Sequence, residues 1–576
     1  MHVFLLAVWL ALTQAAVAYA QPLPAQPEAA TGREEMQTVF AARFMVVAAN
    51  PLAVEAGAQI LRAGGSAVDA AIAVQMVLGL VEPQSSGIGG GAFLLHWSQA
   101  QKRVRSYDGR ETAPQSAGLD RFLDASGQPL ARELAIESGR SVGVPGVLRM
   151  LELAHSRHGR LPWRRLFESA IRLAESGFPM SPRLNRLLER ESALRNDPAA
   201  RRLYYGDGDR AKPLGARIVN AEYAATLRTI ARFGANAFYS AAIAEDIVRA
   251  VRAHPRPGDL VLKDFTDYRA VERAPVCGPY RRLRICGMGP PSAGGVAVLQ
   301  ILGILERTPF DREAPNSAAA VHYFSEAGRL AYADRARYIA DPAFVPQPLA
   351  GLLEPAYLGE RARLIGERSM GRAQPGTPRT VRTTLGEAAE TEHAGTSHLS
   401  IVDRRGDAVA MTTTIEDGFG SRIMVRGFLL NNQLTDFSSA PEANGRSIAN
   451  RVEPGKRPRS SMAPTLVFDA KGNLRLIVGS PGGLSIIHYV AKALVATLDW
   501  KLDAQAAASL PNFGSRNGPT EIERGTLYEL LAPALRERGH DVRALDFTSG
   551  LHLIEKVRGG WRGGADPRRE GVARGE

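Results

Sequence analysis

Apolar residues recur along this chain in two textures, one with helical spacing and one strand-like. Pro51 to Arg62 and Gly65 to Leu80 predict two helices separated by Ala63–Gly64–Gly65. The second runs through Ala67–Val68–Asp69–Ala70–Ala71–Ile72–Ala73–Val74, small and apolar on every side, so deep burial is expected. Pro83 to Gly91 reads as a Gly/Ser turn, and Ala92–Phe93–Leu94–Leu95–His96–Trp97 as the strand that follows it. Pro162 to Glu175 sets Leu166, Phe167, Ala170, Ile171 and Ala174 at helical spacing, with Gly177 suited to the C-terminal cap. Arg183 to Arg202 predicts charged helix and loop. Glu367 to Thr384, rich in Gly, Pro, Arg and Thr, continues through Leu385 to Gly395 as a polar linker. No internal repeat is evident.

That linker leads into Ala394–Gly395–Thr396–Ser397–His398 and the strand-like run Leu399–Ser400–Ile401–Val402–Asp403. A hydroxyl residue directly after a small residue, at the head of a strand, is where a self-cleaving amidohydrolase makes its nucleophile. Cutting before Thr396 would give its hydroxyl a neighbouring α-amine, whose pKa near ~7.7–8 leaves much of it neutral and basic. The runs Thr396 to Asp403 and Asp407 to Thr414 flank Arg404–Arg405–Gly406, a three-residue connection ending in glycine that predicts a hairpin. If Asp403 faces Asp407, equal steps outward put Thr396 opposite Thr414, a second hydroxyl placed to orient the first. His398 shares a strand face with Thr396, but side chains on one strand stand parallel, so a packed, hydrogen-bonded histidine is expected there.

Three later clusters could complete a site, although each alone is an ordinary turn. Gly479–Ser480–Pro481–Gly482–Gly483 follows the strand Leu474 to Val478, and its N–H groups could meet an oxyanion. Ser460 and Ser461 offer adjacent hydroxyls. Asn431–Asn432–Gln433–Leu434–Thr435–Asp436–Phe437 brings amides and a carboxylate suited to an ammonium group.

Composition narrows the class. At 576 residues, 45% hydrophobic and 23% charged, the chain reads as globular and long for a single core. Its net charge of +12 is spread as scattered arginines without interleaved aromatics, which argues against nucleic acid. Val3 to Leu12 followed by Ala18–Tyr19–Ala20 predicts a signal peptide over 1–20, although no Lys or Arg precedes the apolar run. No later run reaches transmembrane length, so a soluble periplasmic or secreted chain without membrane contact is expected. The two cysteines, Cys277 and Cys286, flank a predicted hairpin; a cross-strand disulfide and a reduced pair are both compatible with that placement. No metal or organic cofactor is implied.

Taken together, these segments resemble the γ-glutamyltranspeptidase family from about Met45 to Arg569. The resemblance includes the stretches Gly64 to Ala71, Ser86 to Gly91, Asp108–Gly109–Arg110–Glu111–Thr112–Ala113–Pro114, Gly143 to Gly146 and Pro290 to Gly295. Ala333–Asp334–Arg335 and Thr396–Ser397–His398 follow in order. It implies an α+β fold of the N-terminal-nucleophile hydrolase type, a four-layer αββα sandwich. Autocleavage of Gly395–Thr396 would leave a large chain, 21–395, and a small one, 396–576, held together as a heterodimer. It further implies that Thr396 attacks the γ-glutamyl amide of glutathione or a related compound, the acyl group passing to water or to an amino acid or dipeptide. Gly482 and Gly483 would form the oxyanion hole, and Thr414 would steady Thr396. Arg110, Ser460 and Ser461 would hold the α-carboxylate, and Gln433 and Asp436 the α-amine.

Two departures bear on specificity. Glu416 stands where many members carry Asn, adding a second acid to the ammonium site. The segment between Asp436 and Lys456 has no aromatic after Phe437 and looks shorter than the lid of some relatives, which implies a more open site. The rival readings are a cephalosporin or glutaryl acylase of the same family and an unprocessed, non-catalytic periplasmic binding protein.

Overall fold

Two seven-stranded antiparallel sheets, each covered by helices on its outer face, form the middle of the molecule. The computed structural model describes residues 35–379, 385–388 and 395–576. The expected signal peptide and the linker stretches 380–384 and 389–394 lie outside the described residues.

The first sheet runs Val572–Gly575, Met45–Ala48, Gly395–Val402, Ala408–Glu416, Gly91–Ser98, Arg103–Gly109 and Val271–Arg273. The second runs Val39–Ala41, Gly560–Ala565, His552–Val557, Leu474–Gly479, Thr465–Phe468, Leu283–Gly287 and Val276–Tyr280. The central strands Met45–Ala48, Gly395–Val402 and Ala408–Glu416 are buried at every residue because both of their faces are covered. Val46, Leu94, Leu399, Ile401 and Met411 enter one core, beneath the helices Pro51–Arg62 and Ala67–Val81. Their alternates Met45, Val47, Leu95, Val402 and Ala410 enter the other, between the sheets. Helices Gly294–Leu305, Ala318–Tyr338 and Ile486–Leu498 contribute to that second core and cover the second sheet. The result is the expected αββα order of layers.

Local chemistry sets the element boundaries. Pro51 opens its helix under an Asn50 cap. The next helix begins at Ala67 rather than Gly65, because Ser66 and Asp69 close a capping box. All fifteen residues of Ala67–Val81 are buried, as their composition predicts. Trp163–Phe167 forms a 3₁₀ turn before the α-helix Glu168–Ser176, which Gly177 ends at φ +82°. Between Arg183 and Arg202 lie two helices, Pro182–Arg190 and Pro198–Tyr204, the second capped by Asp197.

Both predicted hairpins form. Cys277 lies opposite Cys286 and the two are joined as a disulfide. In the other, the Asp403 N–H donates to Asp407 O at 2.9 Å, and Gly406 turns the chain at φ +80°. Asp403 Oδ1 accepts from the Arg405 amide at 2.8 Å and from the Asp407 amide at 3.2 Å, fixing the turn. Thr396 is therefore the register partner of Thr414.

Several buried histidines make the fold sensitive to acid. His540 Nε2 and His322 Nδ1 are 2.8 Å apart, and His322 Nε2 reaches Gly366 O at 2.9 Å. Arg329 donates to Thr520 Oγ1 at 2.9 Å, and that hydroxyl lies 2.7 Å from His540 Nδ1. One directed chain of protons satisfies the whole network with both rings neutral. Glu326 lies in the same cluster, yet its oxygens accept from Arg329, Ser369 and the Met370 amide, each at 2.9 Å. Burial lowers the pKa of His540 and His488 to about 3 and of His552 to about 4. These folded-state values lie below the ordinary histidine value of about 6.5, so the unfolded chain binds more protons between the two. Stability is accordingly constant with respect to these groups above about pH 6.5 and is lost progressively as pH falls toward 4. Urea midpoints across that range measure the loss; a flat profile would contradict it.

Candidate active site

Thr396 sits at the head of its strand, on the face turned toward the second sheet. The even-numbered side chains of this strand point between the sheets: the Ser400 hydroxyl donates to His552 O at 3.0 Å, and Val402 joins the inter-sheet core. A bulge separates Gly395 from Thr396, so Gly395 faces Glu416 while Thr396 faces Thr414. A Cβ on Gly395 would collide with the backbone oxygens of Glu416 and Asp417, so the bulge admits only glycine. The Thr396 hydroxyl donates to Thr414 Oγ1 at 3.2 Å, and the Thr414 hydroxyl donates to Gly395 O at 2.6 Å. The Glu416 amide donates to Thr414 Oγ1 at 2.8 Å and holds that hydroxyl in line. One hydroxyl thus touches both the candidate nucleophile and the carbonyl it would have to attack.

Behind Thr396 stands Arg569, which sequence reasoning assigned no role. Its Nη1 donates to Thr396 O at 3.2 Å, while Nε and Nη2 donate to Thr548 O at 3.0 and 2.8 Å. Nothing in the spacing of the chain links positions 173 residues apart.

His398 forms no pair with Thr396. Its Nδ1 lies 2.8 Å from Thr412 Oγ1 and its Nε2 lies 3.1 Å from Ser400 Oγ. Burial holds its pKa well below the usual value, leaving a neutral packing ring. The ring occupies the space a Cβ at Gly479 would need. A Gly479→Ala variant is therefore expected to lose about 1–3 kcal/mol through overpacking, read as a lower urea midpoint.

The glycine turn lies at the end of Leu474–Gly479, at the same end of the sandwich. Gly482 has φ +131° and Gly483 φ +55°, conformations in which other residues are strained. A Cβ on Gly482 would also strike Tyr489. Among the described residues, neither the Gly482 nor the Gly483 amide donates to a protein acceptor. They remain available to an oxyanion.

A second cluster gathers polar groups from four segments. Gln433–Asp436 is a 3₁₀ turn whose side chains come together, with Gln433 Nε2 donating to Asp436 Oδ2 at 2.6 Å. Arg110 Nη2 forms a short charge-assisted bond with the same oxygen. Arg110 is oriented by two carbonyls, Pro458 O at 3.1 Å from Nε and Arg459 O at 2.8 Å from Nη2. Asp436 Oδ1 and Gln433 Oε1 are buried acceptors with no partner among the described residues. A buried acceptor without a donor is costly, and an ammonium group is the donor that would relieve both.

Glu416 adds a further acid. Its Oε2 accepts a short hydrogen bond from Asn432 Nδ2, and its Oε1 lies 3.7 Å from Arg132 Nη2. Burial first, and the Asp436 charge second, push its pKa well above the carboxylate range. Glu111, quoted in its sequence motif but not taken for a site residue, is also present. It is fully buried, 3.9 Å from Arg110 Nη1, and burial raises its pKa to about 8. Burial thus favours the protonated form of both carboxyls, which lowers the charge the site must bear before a cation arrives.

The two serines follow the cis bond Pro290–Pro291 in space. The Ser460 amide donates to Pro291 O at 3.0 Å, and Ser460 Oγ accepts from the Met462 amide at 3.1 Å. Ser461 Oγ accepts from Arg335 Nη2 at 2.9 Å, giving Arg335 a positioning contact that the sequence motif alone did not show. The segment expected to act as a lid contains a small hairpin, Glu442–Ala443 with Arg446–Ser447. It is joined to the linker where the Gly386 amide donates to Ser447 O at 3.0 Å.

Comparison with known proteins gives this arrangement its context. The family model described as Gamma-glutamyltranspeptidase matches residues 53–576. The glutathione hydrolase proenzyme of Bacillus subtilis (strain 168) is 34% identical over 542 residues, covering 92% of this chain and 91% of that protein. The Acylase ACY 1 proenzyme of Pseudomonas sp. (strain V22) is 35% identical over 544 residues, covering 92% of this chain and 93% of that protein. Among solved structures, cephalosporin acylase from Bacillus halodurans is similar with a TM-score of 0.82 at 27% identity, over 95% of this chain and 98% of that one. With its two-sheet core and a family match from residue 53 to residue 576, the chain belongs to the γ-glutamyltranspeptidase family, hydrolases and acyltransferases of the N-terminal-nucleophile fold.

Proposed function

We propose that this chain is the precursor of a γ-glutamyltransferase and glutathione hydrolase that cuts itself between Gly395 and Thr396. The observation that carries the reading is the hydroxyl relay from Thr396 through Thr414 to the Gly395 carbonyl. In maturation the Thr396 oxygen attacks the Gly395 carbonyl carbon and the C–N bond breaks as the hydroxyl proton passes to the nitrogen, leaving an ester and a free α-amine on Thr396. The Thr414 hydroxyl donates to the carbonyl oxygen as negative charge develops there. Water then hydrolyses the ester, freeing the Gly395 carboxylate and restoring the Thr396 hydroxyl beside the α-amine. The products are a large chain ending at Gly395 and a small chain of residues 396–576.

In the mature enzyme the Thr396 amine takes the hydroxyl proton while the oxygen attacks the γ-carbonyl carbon of the donor. The Gly482 and Gly483 amides receive the oxyanion. The leaving amine departs with the proton, and the γ-glutamyl ester is resolved by water or by the amine of an amino acid or dipeptide. Arg110, Ser460 and Ser461 hold the donor's α-carboxylate. Asp436, Gln433 and Glu416 receive its α-ammonium, and the unpartnered acceptors at Asp436 and Gln433 support that assignment.

The similarity to acylases favours a second reading, a glutaryl-type acylase. An acyl group without an α-amine would leave Asp436 Oδ1 and Gln433 Oε1 unrelieved, so the first reading fits this site better. Parallel assays of γ-glutamyl and glutaryl p-nitroanilides decide between them. The expected result is γ-glutamyl turnover faster by at least about tenfold, since a site that loses a partner for buried polar groups discriminates strongly. Faster glutaryl turnover would establish the acylase. A single uncleaved chain, inactive on both, would leave the non-catalytic binding protein as the better description. Among the described residues no helix is long and apolar enough to cross a membrane, and the sequence pattern at 1–20 supports export to the periplasm or beyond.

A further inference from the structure

The end of the sandwich opposite Thr396 holds an open groove of about 1020 Å³. Three hairpin turns border it, at residues 404–406, 469–473 and 557–559. Asp403 in its wall is seven residues along the strand from Thr396, about 23 Å away at ~3.3 Å per residue, so the groove is separate from the catalytic cluster.

Its walls carry Arg43, paired with Glu576 at 2.9 Å, and five further cations, Arg404, Arg405, Arg475, Lys556 and Arg558. Among the described residues, none of these five cations has a carboxylate within 4 Å. Two instead rest on aromatic rings, Arg404 at 5.6 Å from the centre of Phe44 and Lys556 at 4.3 Å from that of Trp561. Rings of this kind orient a cation without neutralising it.

Of the acids in the groove, Asp403 is paired outside it, while Asp469 and Glu555 also interact with the charge of Arg475. Asp403 Oδ2 pairs with Arg160 at 3.0 Å, and its Oδ1 accepts from the Arg405 amide at 2.8 Å. Asp469 accepts the amides of Lys471 and Asn473, each at 2.9 Å. Glu555 faces Arg562 at 3.8 Å. Neither Arg160 nor Arg562 lines the groove.

With six cations against three carboxylates, the lining carries an excess of positive charge, which concentrates anionic counter-ions. Guanidiniums in particular present paired N–H donors that match phosphate oxygens. Gln99 and Asn473 add neutral hydrogen-bonding groups between the cations. A concave floor suits a ligand that enters from solution better than the flat surface of a bilayer. We propose that this groove is a second binding site, for a soluble oligoanion bearing several closely spaced phosphate groups.

Calorimetric titration of the purified protein with sodium tripolyphosphate at low ionic strength tests the proposal. The expected result is saturable one-to-one binding, at least about tenfold weaker in the double variant Arg405→Glu/Arg558→Glu. Arg164→Glu/Arg165→Glu, the same change of charge on another exposed surface, should bind like the unaltered protein. Turnover of a γ-glutamyl anilide should be unchanged in both variants. Absence of saturable binding, or equal weakening in the two variants, would overturn the proposal. So would co-sedimentation with phosphatidylglycerol vesicles without tripolyphosphate binding, which would assign the charge to a membrane surface.

Discussion

A Thr396→Ala variant is expected to remain a single chain and to turn over no γ-glutamyl amide. Alanine supplies no oxygen to attack the Gly395 carbonyl, so the α-amine needed as base is never released. Both stages fail for one reason, and turnover should fall by about four orders of magnitude or more. Thr396 is buried, and among the described residues its side chain makes one hydrogen bond, to Thr414, so the fold should survive with a loss of about 1–2 kcal/mol. Thr396→Ser keeps the oxygen and should still mature, which separates lost chemistry from lost structure. Denaturing electrophoresis and an anilide assay read both outcomes; normal processing of the alanine variant would end the assignment of Thr396 as nucleophile.

The second large effect is expected at Asp436→Asn. Asparagine keeps the shape but removes the charge that Arg110 faces and that the donor's ammonium would meet. Removing one partner of a buried charged pair costs about 2–5 kcal/mol, which is about 30- to 5,000-fold in kcat/KM for a γ-glutamyl substrate. A glutaryl substrate has no ammonium to lose, so its slower turnover should change far less and the ratio between the two should collapse. Equal losses on both substrates would mean that Asp436 serves the fold through Arg110 rather than reading the α-amine.

The hairpin that carries Thr396 and Thr414 was legible because its information is local. A three-residue turn ending in Gly406 sets the count, and the count alone carries Thr396 to Thr414 across eight pairs of residues. The buried helix Ala67–Val81 and the packed state of His398 follow equally from nearby composition and from strand geometry. The cluster proposed to take an ammonium group was legible only as a group of suitable residue types, made meaningful by resemblance. Its decisive features, the orphaned oxygens of Asp436 and Gln433, exist only once the chain is folded. Arg569, Arg335 and Arg132 reach their partners from distant parts of the chain, and no periodicity marks such contacts. The raised pKa of Glu111 has the same origin, since burial is a property of the packed site and not of the motif that contains it.

Glu416 shows how one residue joins both halves of the argument. Its amide orders the Thr414 hydroxyl beside the scissile carbonyl, while its carboxyl joins the cluster proposed to read the donor. A positive φ of +81° turns the backbone at this residue, so that the nucleophile strand's partner ends in the donor cluster. The proposed maturation chemistry and donor recognition would thereby be built on adjoining atoms.

Intact-mass and N-terminal sequence analysis of the purified protein tests the central claim most directly. Two chains are expected, the smaller beginning with Thr396–Ser397–His398 and ending at Glu576. A single chain, or a smaller chain that begins at any other residue, would contradict it.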